Sequence, residues 1–293
     1  MVLKNVWIFA GALTLAVPSV MALSLRTESA QSAVYEPVDV CATQNPSQET
    51  LNALEKLHDS TEGGIDSQVV IPVVFHVINR GVGIENGDVP ESMLLAQINV
   101  LNTAFSGGAG GSNTDFRFEL AGITRTTNAA WYTCAYHSPE EYAMKEALRQ
   151  GDAGTLNIYT TNSPWNWGGF PWLYQSAPLH DGPVVRHAVL AGAGDPYFGS
   201  GHIAVHEVGH WMGLYHTFQG ECSKNNDFVA DTPAMRVGGP QNCAAPRDTC
   251  TGRQYPGTDP LNNYMTGTID SCTNQFTVGQ ASRMAQMWAM YRQ

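Results

Sequence analysis

The chain has 293 residues, which is enough for one large domain or two small ones with a sizeable buried core. Only 14% of the residues are charged, and the formal net charge is −11. Because phosphate binding needs clustered lysines and arginines, this acidic sequence without a basic run argues against nucleic acid as a partner.

The N-terminus predicts export from the cell. Lys4 precedes an uncharged apolar run over residues 6–23, which contains Pro18 and the small-residue site at 20–22. This order is typical of a secretory signal peptide, which we assign to residues 1–22; Pro18 argues against a membrane anchor. Since no later stretch is long and apolar enough to span a bilayer, we expect a secreted, extracellular product with no membrane partner.

Residues 23–65 are polar and contain one helical pattern. Ser47 is a plausible N-cap, and Leu51, Leu54 and Leu57 fall on one helical face. The Gly-containing stretch 61–66 is typical of a linker. This region is either an N-terminal arm or a pro-segment, and its residues leave both interpretations open.

From residue 66 onward strands and helices alternate, which predicts an α/β (α+β) fold over residues 66–293. The predicted strands are 69–78, 116–124 and 155–160. The predicted helices are 90–105, 142–149, 200–215 and 277–291. The first strand is a continuous β-branched run, as expected of a strand that is buried on both faces.

The most informative segment runs from His206 to His216 and reads HEVGHWMGLYH. Positions i and i+4 of a helix share a face, so His206 and His210 can present two imidazoles to one ion. Gly213 permits a turn with positive φ that can bring His216 back as a third ligand. Three histidines leave one position open on a tetrahedral zinc ion, as catalytic zinc requires.

Glu207 follows the first of these ligands directly and indicates the reaction. Zinc lowers the pKa of a bound water to about 7 and polarises a carbonyl group. A carboxylate at this position can be the general base for that water and then pass the proton to the leaving amine. The motif therefore predicts a zinc endopeptidase that acts on a protein or peptide substrate. A structural zinc site is the weaker interpretation, because such sites typically use four protein ligands.

The extended motif resembles that of the metzincin metalloproteases. Its continuation is similar to the pappalysin-type peptidases of family M43, especially their small secreted fungal members. The blocks that carry this resemblance are 217–222, 227–234, 262–265 and 276–280, with Cys41 and parts of 74–81 and 141–157.

The resemblance implies a metzincin-type catalytic domain. An upper sub-domain would hold a twisted sheet and two long helices, above an irregular lower sub-domain with a C-terminal helix. Met265 would be the methionine of the Met-turn beneath the metal. We also expect a monomer, which the resemblance itself does not imply. Substrate would pair with an edge strand near residues 165–190. The implied disulfides, which would staple the lower sub-domain, are Cys222–Cys250 and Cys243–Cys272.

One position departs from the family pattern. Members usually carry a tyrosine two residues after the Met-turn methionine, where it helps to hold the tetrahedral intermediate, and this chain has Gly267 there. Loss of one such donor can cost about 10²–10³ in rate. The alternative function is therefore a zinc-binding but catalytically weak protein that serves in binding.

Two further sets of residues keep alternative interpretations. Cys41 either pairs with Cys134 or caps the metal as a thiolate in a latent form, and the even cysteine count favours the disulfide. Asp227 and Asp231 lie in a Gly- and Asn-rich loop and are either calcium ligands or solvated loop acids.

Overall fold

The computed structural model describes residues 41–59, 64–237 and 243–293. The predicted signal peptide and the first part of the predicted arm, residues 23–40, lie outside the described residues. Within the described ranges, no helix combines the length and the apolar character that crossing a membrane requires.

Four parallel strands form a sheet in the order β2-β1-β3-β4, and helices flank it, so the predicted α/β fold is confirmed. The strands are β1 (Val69–Asn79), β2 (Phe116–Thr127), β3 (Leu156–Thr161) and β4 (Val184–Arg186). The helices are α1 (Gln48–Asp59), α2 (Glu91–Phe105), α3 (Ala129–Tyr132), α4 (Pro139–Leu148), α5 (His202–Trp211) and α6 (Val278–Tyr291).

Strand β1 is central and explains the continuous apolar run in the sequence. It pairs with β2 along its whole length and with β3 over residues 73–77. Every residue from Val73 to Asn79 is buried, because neighbouring strands cover both edges and other elements cover both faces. The start of the strand differs from the prediction: Val70 and Pro72 are exposed, because β3 pairs with β1 only from residue 73 onward.

The main apolar core holds α5 in place. Phe75 of β1, Leu101 of α2 and Val208 of α5 are fully buried and belong to one cluster. Burial of each side chain of this kind contributes about 1.5–3 kcal/mol. The helix with the metal-binding motif is therefore held by the sheet and α2 and not by local propensity alone.

The lower part of the molecule is irregular, as the resemblance implied. Among the described residues between α5 and α6, the only helical element is a 3₁₀ turn at Tyr264–Thr266. Cys222–Cys250 and Cys243–Cys272 form disulfides with Cα separations of 5.4 and 5.6 Å. Both pairings are confirmed, and they restrain loops that have little regular structure of their own.

Helix α6 is bonded at its N-terminus to the irregular region between α5 and α6. Thr277 and Gln280 form a capping box at its N-terminus. The Asp231 carboxylate accepts hydrogen bonds from the Thr277 hydroxyl at 2.7 Å and from the Gly279 amide at 2.9 Å. An acidic group is favourable beside the amides of a helix N-terminus. Both oxygens of Asp231 are thereby used, which argues against its predicted role as a calcium ligand.

Helix α1 forms where the arm was predicted to be helical, but its buried face differs from the prediction. Leu51 is 1% exposed, whereas Leu57 is 50% exposed. The buried positions are Leu51, Glu55 and His58. The apolar stripe misled the prediction because a carboxylate can be buried where another element supplies a cation, which α6 does here.

Candidate metal centre

Helix α5 and the turn after it bring three imidazoles together. His206, His210 and His216 are each at most 5% exposed. The Nε2 atom of His210 lies 3.1 Å from the Nε2 atoms of both His206 and His216. Tetrahedral zinc with ligands at about 2.0 Å needs nitrogen atoms roughly this far apart. The donor set and its spacing therefore fit zinc.

The other nitrogen of each ring fixes its tautomer. Each Nδ1 lies within hydrogen-bonding distance of a carbonyl-type oxygen, which can only accept, so Nδ1 must carry the proton. The Nε2 lone pairs are then available to a metal. The oxygens are Tyr264 O for His206 at 2.7 Å, Leu214 O for His210 at 2.7 Å, and Asn45 Oδ1 for His216 at 3.1 Å.

Burial keeps these rings neutral. It lowers the pKa of His206 to about 4, against which the hydrogen bond to the Tyr264 carbonyl acts only partly. Burial also lowers the pKa of His210 and of His216, and the neighbouring histidines add to the effect. Neutral imidazole is the form that binds metal, so the cluster is ready for a cation at neutral pH.

Gly213 ends the helix and turns the chain toward His216. The predicted helix 200–215 is too long: α5 stops at Trp211, and Gly213 has a φ of 94°. A Cβ atom at Gly213 would lie 2.3 Å from the Cγ atom of Met287 in α6. This position therefore needs glycine for its left-handed backbone and also for its close packing.

Glu207 lies beside the three histidines and is completely buried. Its Oε2 atom accepts hydrogen bonds from the Cys41 thiol at 3.3 Å and the Thr43 hydroxyl at 3.4 Å. Its Oε1 atom has no hydrogen-bonding partner among the described residues. Burial raises the pKa of this carboxyl well above its usual range. A carboxyl group in this environment is suited to taking up and releasing a proton.

Met265 lies beneath the motif helix, where the resemblance places the Met-turn. It is fully buried, and a Cβ atom at Gly209 would lie 2.4 Å from its sulfur. Two residues later, Gly267 has a φ of 76° and open space where a side chain would begin.

An edge segment after β3 closes the upper side of the site. Trp167 forms an antiparallel bridge to Val184 of β4. A Cβ atom at Gly168 would lie 2.2 Å from the Glu207 carbonyl oxygen, so this segment crosses α5 in direct contact. Residues 166–168 are therefore an edge segment that packs directly beside Glu207, within the predicted range 165–190.

The N-terminal segment lies along this edge segment. Cys41 forms a parallel bridge to Asn166, and the Ala42 amide donates to the Asn166 carbonyl at 2.7 Å. The Gly168 amide donates to the Thr43 hydroxyl at 2.9 Å. Residues 41–43 thus pair with the edge where a substrate was expected to pair.

The expected Cys41–Cys134 disulfide is wrong. Both cysteines are free in the structure. The Cys41 sulfur and the metal-facing nitrogens of the three histidines all lie within 4.8 Å of one another. Cys134 is buried instead in a separate apolar cluster with Tyr132 and Trp167. An even cysteine count could not reveal that the fold directs one thiol to the histidines.

The two loop acids lie in different surroundings. Asp227 is 1% exposed and accepts hydrogen bonds from the Thr232 hydroxyl and the Val229 amide through Oδ1. Its Oδ2 atom has no partner among the described residues. Burial raises the pKa of Asp227 to about 7. A buried carboxylate oxygen without a partner fits a cation, whereas the oxygens of Asp231 are used at α6.

Comparisons with known proteins agree with this geometry. The model of the peptidase M43 family, described as pregnancy-associated plasma protein-A, matches residues 158–289. Extracellular metalloprotease 1 of Coccidioides posadasii is 36% identical over 258 residues, covering 84% of this chain and 88% of that protein. An extracellular metalloprotease of Sordaria macrospora is 34% identical over 265 residues, covering 86% of this chain and 88% of that protein. The chain belongs to peptidase family M43.

Solved structures extend this assignment to the fold. Mirolysin in complex with a small compound superposes with a TM-score of 0.64 at 26% identity, covering 76% of this chain and 92% of that chain. A Tannerella forsythia promirolysin mutant gives a TM-score of 0.67 at 25% identity, covering 83% and 87%. This M43 member is therefore a metalloprotease with a metzincin fold, and it is a secreted, extracellular protein.

Sequence reasoning missed three residues of this M43 site. Thr43 reaches Glu207, Asn45 reaches His216, and Phe170 packs its ring edge to face with His210 at 5.4 Å. The closeness of Thr43 and Asn45 to Cys41 in sequence was the one available signal. Phe170 gave no signal beyond its place in the aromatic sequence WNWGGFPW at residues 165–172.

We expect Gly213→Ala to weaken both folding and metal binding. The left-handed backbone costs about 1–2 kcal/mol for a non-glycine residue, and the contact with Met287 adds about 1–3 kcal/mol of overpacking. Gly192→Ala is the matched control, because Gly192 has a φ of 81° and nothing within 4 Å of its Cβ position. Thermal unfolding and zinc competition with a chelator measure the two effects. Equal losses in both variants would contradict the packing argument.

Proposed function

We propose that this protein is a zinc-dependent endopeptidase with Glu207 as general base and acid and with His206, His210 and His216 as the zinc ligands. The observation that carries the proposal is the convergence of three Nε2 atoms beside a buried carboxylate. When bound, zinc supplies a Lewis acid that polarises the scissile carbonyl and acidifies water. Glu207 then takes a proton from the attacking water and delivers it to the leaving amine, with no covalent intermediate.

Substrate would bind as an extended chain along residues 166–168. The backbone groups of this edge already pair with the protein's own residues 41–43, so they are able to hold a peptide. Mature mirolysin, a structural neighbour at 27% identity and a TM-score of 0.63, has been solved in complex with a cleaved peptide. We take protein or peptide substrates and a monomeric enzyme as part of the proposal.

We propose further that residues 23–65 are a pro-segment and residues 66–293 the catalytic domain. Residues 41–45 fill the cleft, with the Cys41 sulfur among the three histidine nitrogens. Thiolate is a good zinc ligand, so Cys41 would complete the coordination in a latent form. Removal of this segment would free both the metal and the edge for substrate.

Calcium remains a proposal at one of the two predicted acids. Asp227 offers a buried carboxylate oxygen without a partner, which is the kind of ligand that calcium prefers. Asp231 is the weaker candidate, since each of its oxygens already accepts a hydrogen bond, from Thr277 or from Gly279.

Activity should depend on Glu207 and on the metal. We expect processed, zinc-loaded protein to cleave denatured casein, and we expect Glu207→Ala or a zinc chelator to reduce kcat by at least about 10³-fold. Glu221→Ala, in the exposed loop after the motif, is the control and should keep full activity. Absence of cleavage by folded, zinc-loaded protein would instead favour the weakly catalytic alternative that Gly267 suggests.

Cys41→Ser should make the unprocessed chain active. Loss of the thiolate removes its attraction to zinc, so residues 41–45 can leave the cleft and peptide cleavage should rise by about 10-fold or more. Cys134→Ser is the matched control, because it removes the other free thiol in a separate cluster. Equal activity of both unprocessed variants in a peptide assay would contradict the latency proposal.

Calcium should stabilise the protein through Asp227. Because burial raises the folded pKa of this acid to about 7, calcium-free protein should lose stability as the pH rises from about 4 to 7. Asp227→Asn should lack both this loss and any rise in Tm on adding millimolar calcium. Asp231→Asn is the control: it should lower Tm through α6 yet still respond to calcium. A wild-type Tm that ignores calcium would rule the site out.

A further inference from the structure

Helix α1 buries a charged group against the body of the protein. The Glu55 carboxylate accepts two hydrogen bonds from Arg283 of α6, at 2.7 and 2.8 Å, and one from the Tyr215 hydroxyl at 3.0 Å. Glu55 and Arg283 are 8% and 7% exposed. Burial alone would raise the pKa of Glu55, but the hydrogen bonds and charge of Arg283 outweigh it and lower the pKa to about 2. This is a buried, bidentate ion pair.

Further contacts attach α1 to the body of the protein one helical turn before Glu55 and one turn after it. Leu51 lies one turn before Glu55 in an aromatic pocket, and His58 lies one turn after it, with Nε2 3.2 Å from the Tyr291 hydroxyl. The Gln286 amide donates to the His58 carbonyl at 2.7 Å. The residues of the aromatic pocket are Phe170, Trp172, Tyr215 and Phe228.

The attachment of α1 does not involve the metal ligands. Residues 41–45 contact Glu207 and His216, whereas Leu51, Glu55 and His58 contact α6 and the aromatic pocket. Beyond α1 the chain returns to β1 through a linker in which residues 64, 66 and 67 are exposed. A cut in this linker would break the covalent connection and leave in place the contacts that Leu51, Glu55 and His58 make.

Departure of α1 would leave the guanidinium of Arg283 without its carboxylate. Arg283 cannot simply move into solvent, because its Nε atom also donates to the Gly213 carbonyl at 2.9 Å, in the turn that positions His216. Breaking a buried ion pair by removing one partner is strongly unfavourable. The surface beneath α1, which we call the α1 groove, therefore strongly favours an occupant with a carboxylate. We define it by Phe170, Tyr215 and Arg283.

We propose that the α1 groove is a binding surface in its own right, specific for a helix with an apolar residue followed four positions later by a carboxylate. Its occupant after a cut in the linker is the protein's own N-terminal fragment, which stays bound as a separate chain without help from Cys41. The name pro-segment for this fragment rests on the proposed function. The proposed binding of the fragment to the α1 groove does not.

The test uses the full chain. A recognition sequence for a site-specific protease is placed between Gly63 and Gly64, and Glu207→Ala and Cys41→Ser are included to remove self-cleavage and the thiol. The folded protein is cut, and gel filtration and dissociation kinetics follow the fragment. We expect it to remain with the body, and we expect Glu55→Gln to raise its dissociation rate by about 100-fold or more. Glu49→Gln, an exposed acid of the same helix, is the control and should change nothing.

A second measurement places the substitutions of α1 in a free peptide and uses one and the same cut protein throughout. A labelled peptide of residues 46–60 is offered in excess to the cut protein, and we expect it to exchange with the fragment. The same peptide with Glu55→Gln or Leu51→Ala should fail, whereas one with Leu57→Ala, whose leucine is half exposed, should succeed. Loss of the fragment from cut protein with Glu55 intact, or equal binding of all peptides, would overturn the proposal. Because all the proteins carry Glu207→Ala, binding is judged separately from proteolysis.

Discussion

The arrangement of this protein follows from the need to aim three buried, neutral imidazoles at one point. A histidine ring can turn about two bonds, so a ligand set is precise only when the second nitrogen of each ring is also held. Here the Tyr264 and Leu214 carbonyls and the Asn45 amide oxygen do this. Each oxygen comes from a different part of the chain. Tyr264 and Leu214 belong to the proposed catalytic domain, whereas Asn45 belongs to the proposed pro-segment, so only the rings of His206 and His210 are held by groups that would stay after its removal.

Close packing around α5 fixes the positions of the segments that surround the histidines. Gly209 lets Met265 lie against the helix, Gly168 lets the edge segment cross it, and Gly213 lets the chain turn beside Met287. At each of these positions a single Cβ atom would overlap a neighbour. Since protein interiors deform little, such contacts transmit the position of the core directly to the histidines.

The N-terminal segment completes the structure and also obstructs the cleft. Its first part supplies a thiol, a hydroxyl and an amide oxygen to the site, while α1 supplies the carboxylate that pairs with Arg283. Arg283 in turn holds the Gly213 carbonyl, so the segment and the metal-binding turn share a neighbour. The proposed release of the segment would therefore change the surroundings of His216 as well as uncover residues 166–168.

The sequence by itself predicted the family, the class of fold and the cluster of three histidines beside Glu207. The spacing from His206 to His216 is a local property of one helix and one turn, and the apolar run from Val73 to Ile78 needs only burial on both faces. The fate of Cys41, the buried face of α1 and the separate surroundings of Asp227 and Asp231 were decided by tertiary structure alone. Cys41, Glu55 and Asp231 each depend on a partner more than 40 residues away in the chain, namely Glu207, Arg283 and Thr277. Asp227 instead bonds to nearby residues, and only the packing around its loop buries its carboxylate. No local pattern records which distant group will lie opposite.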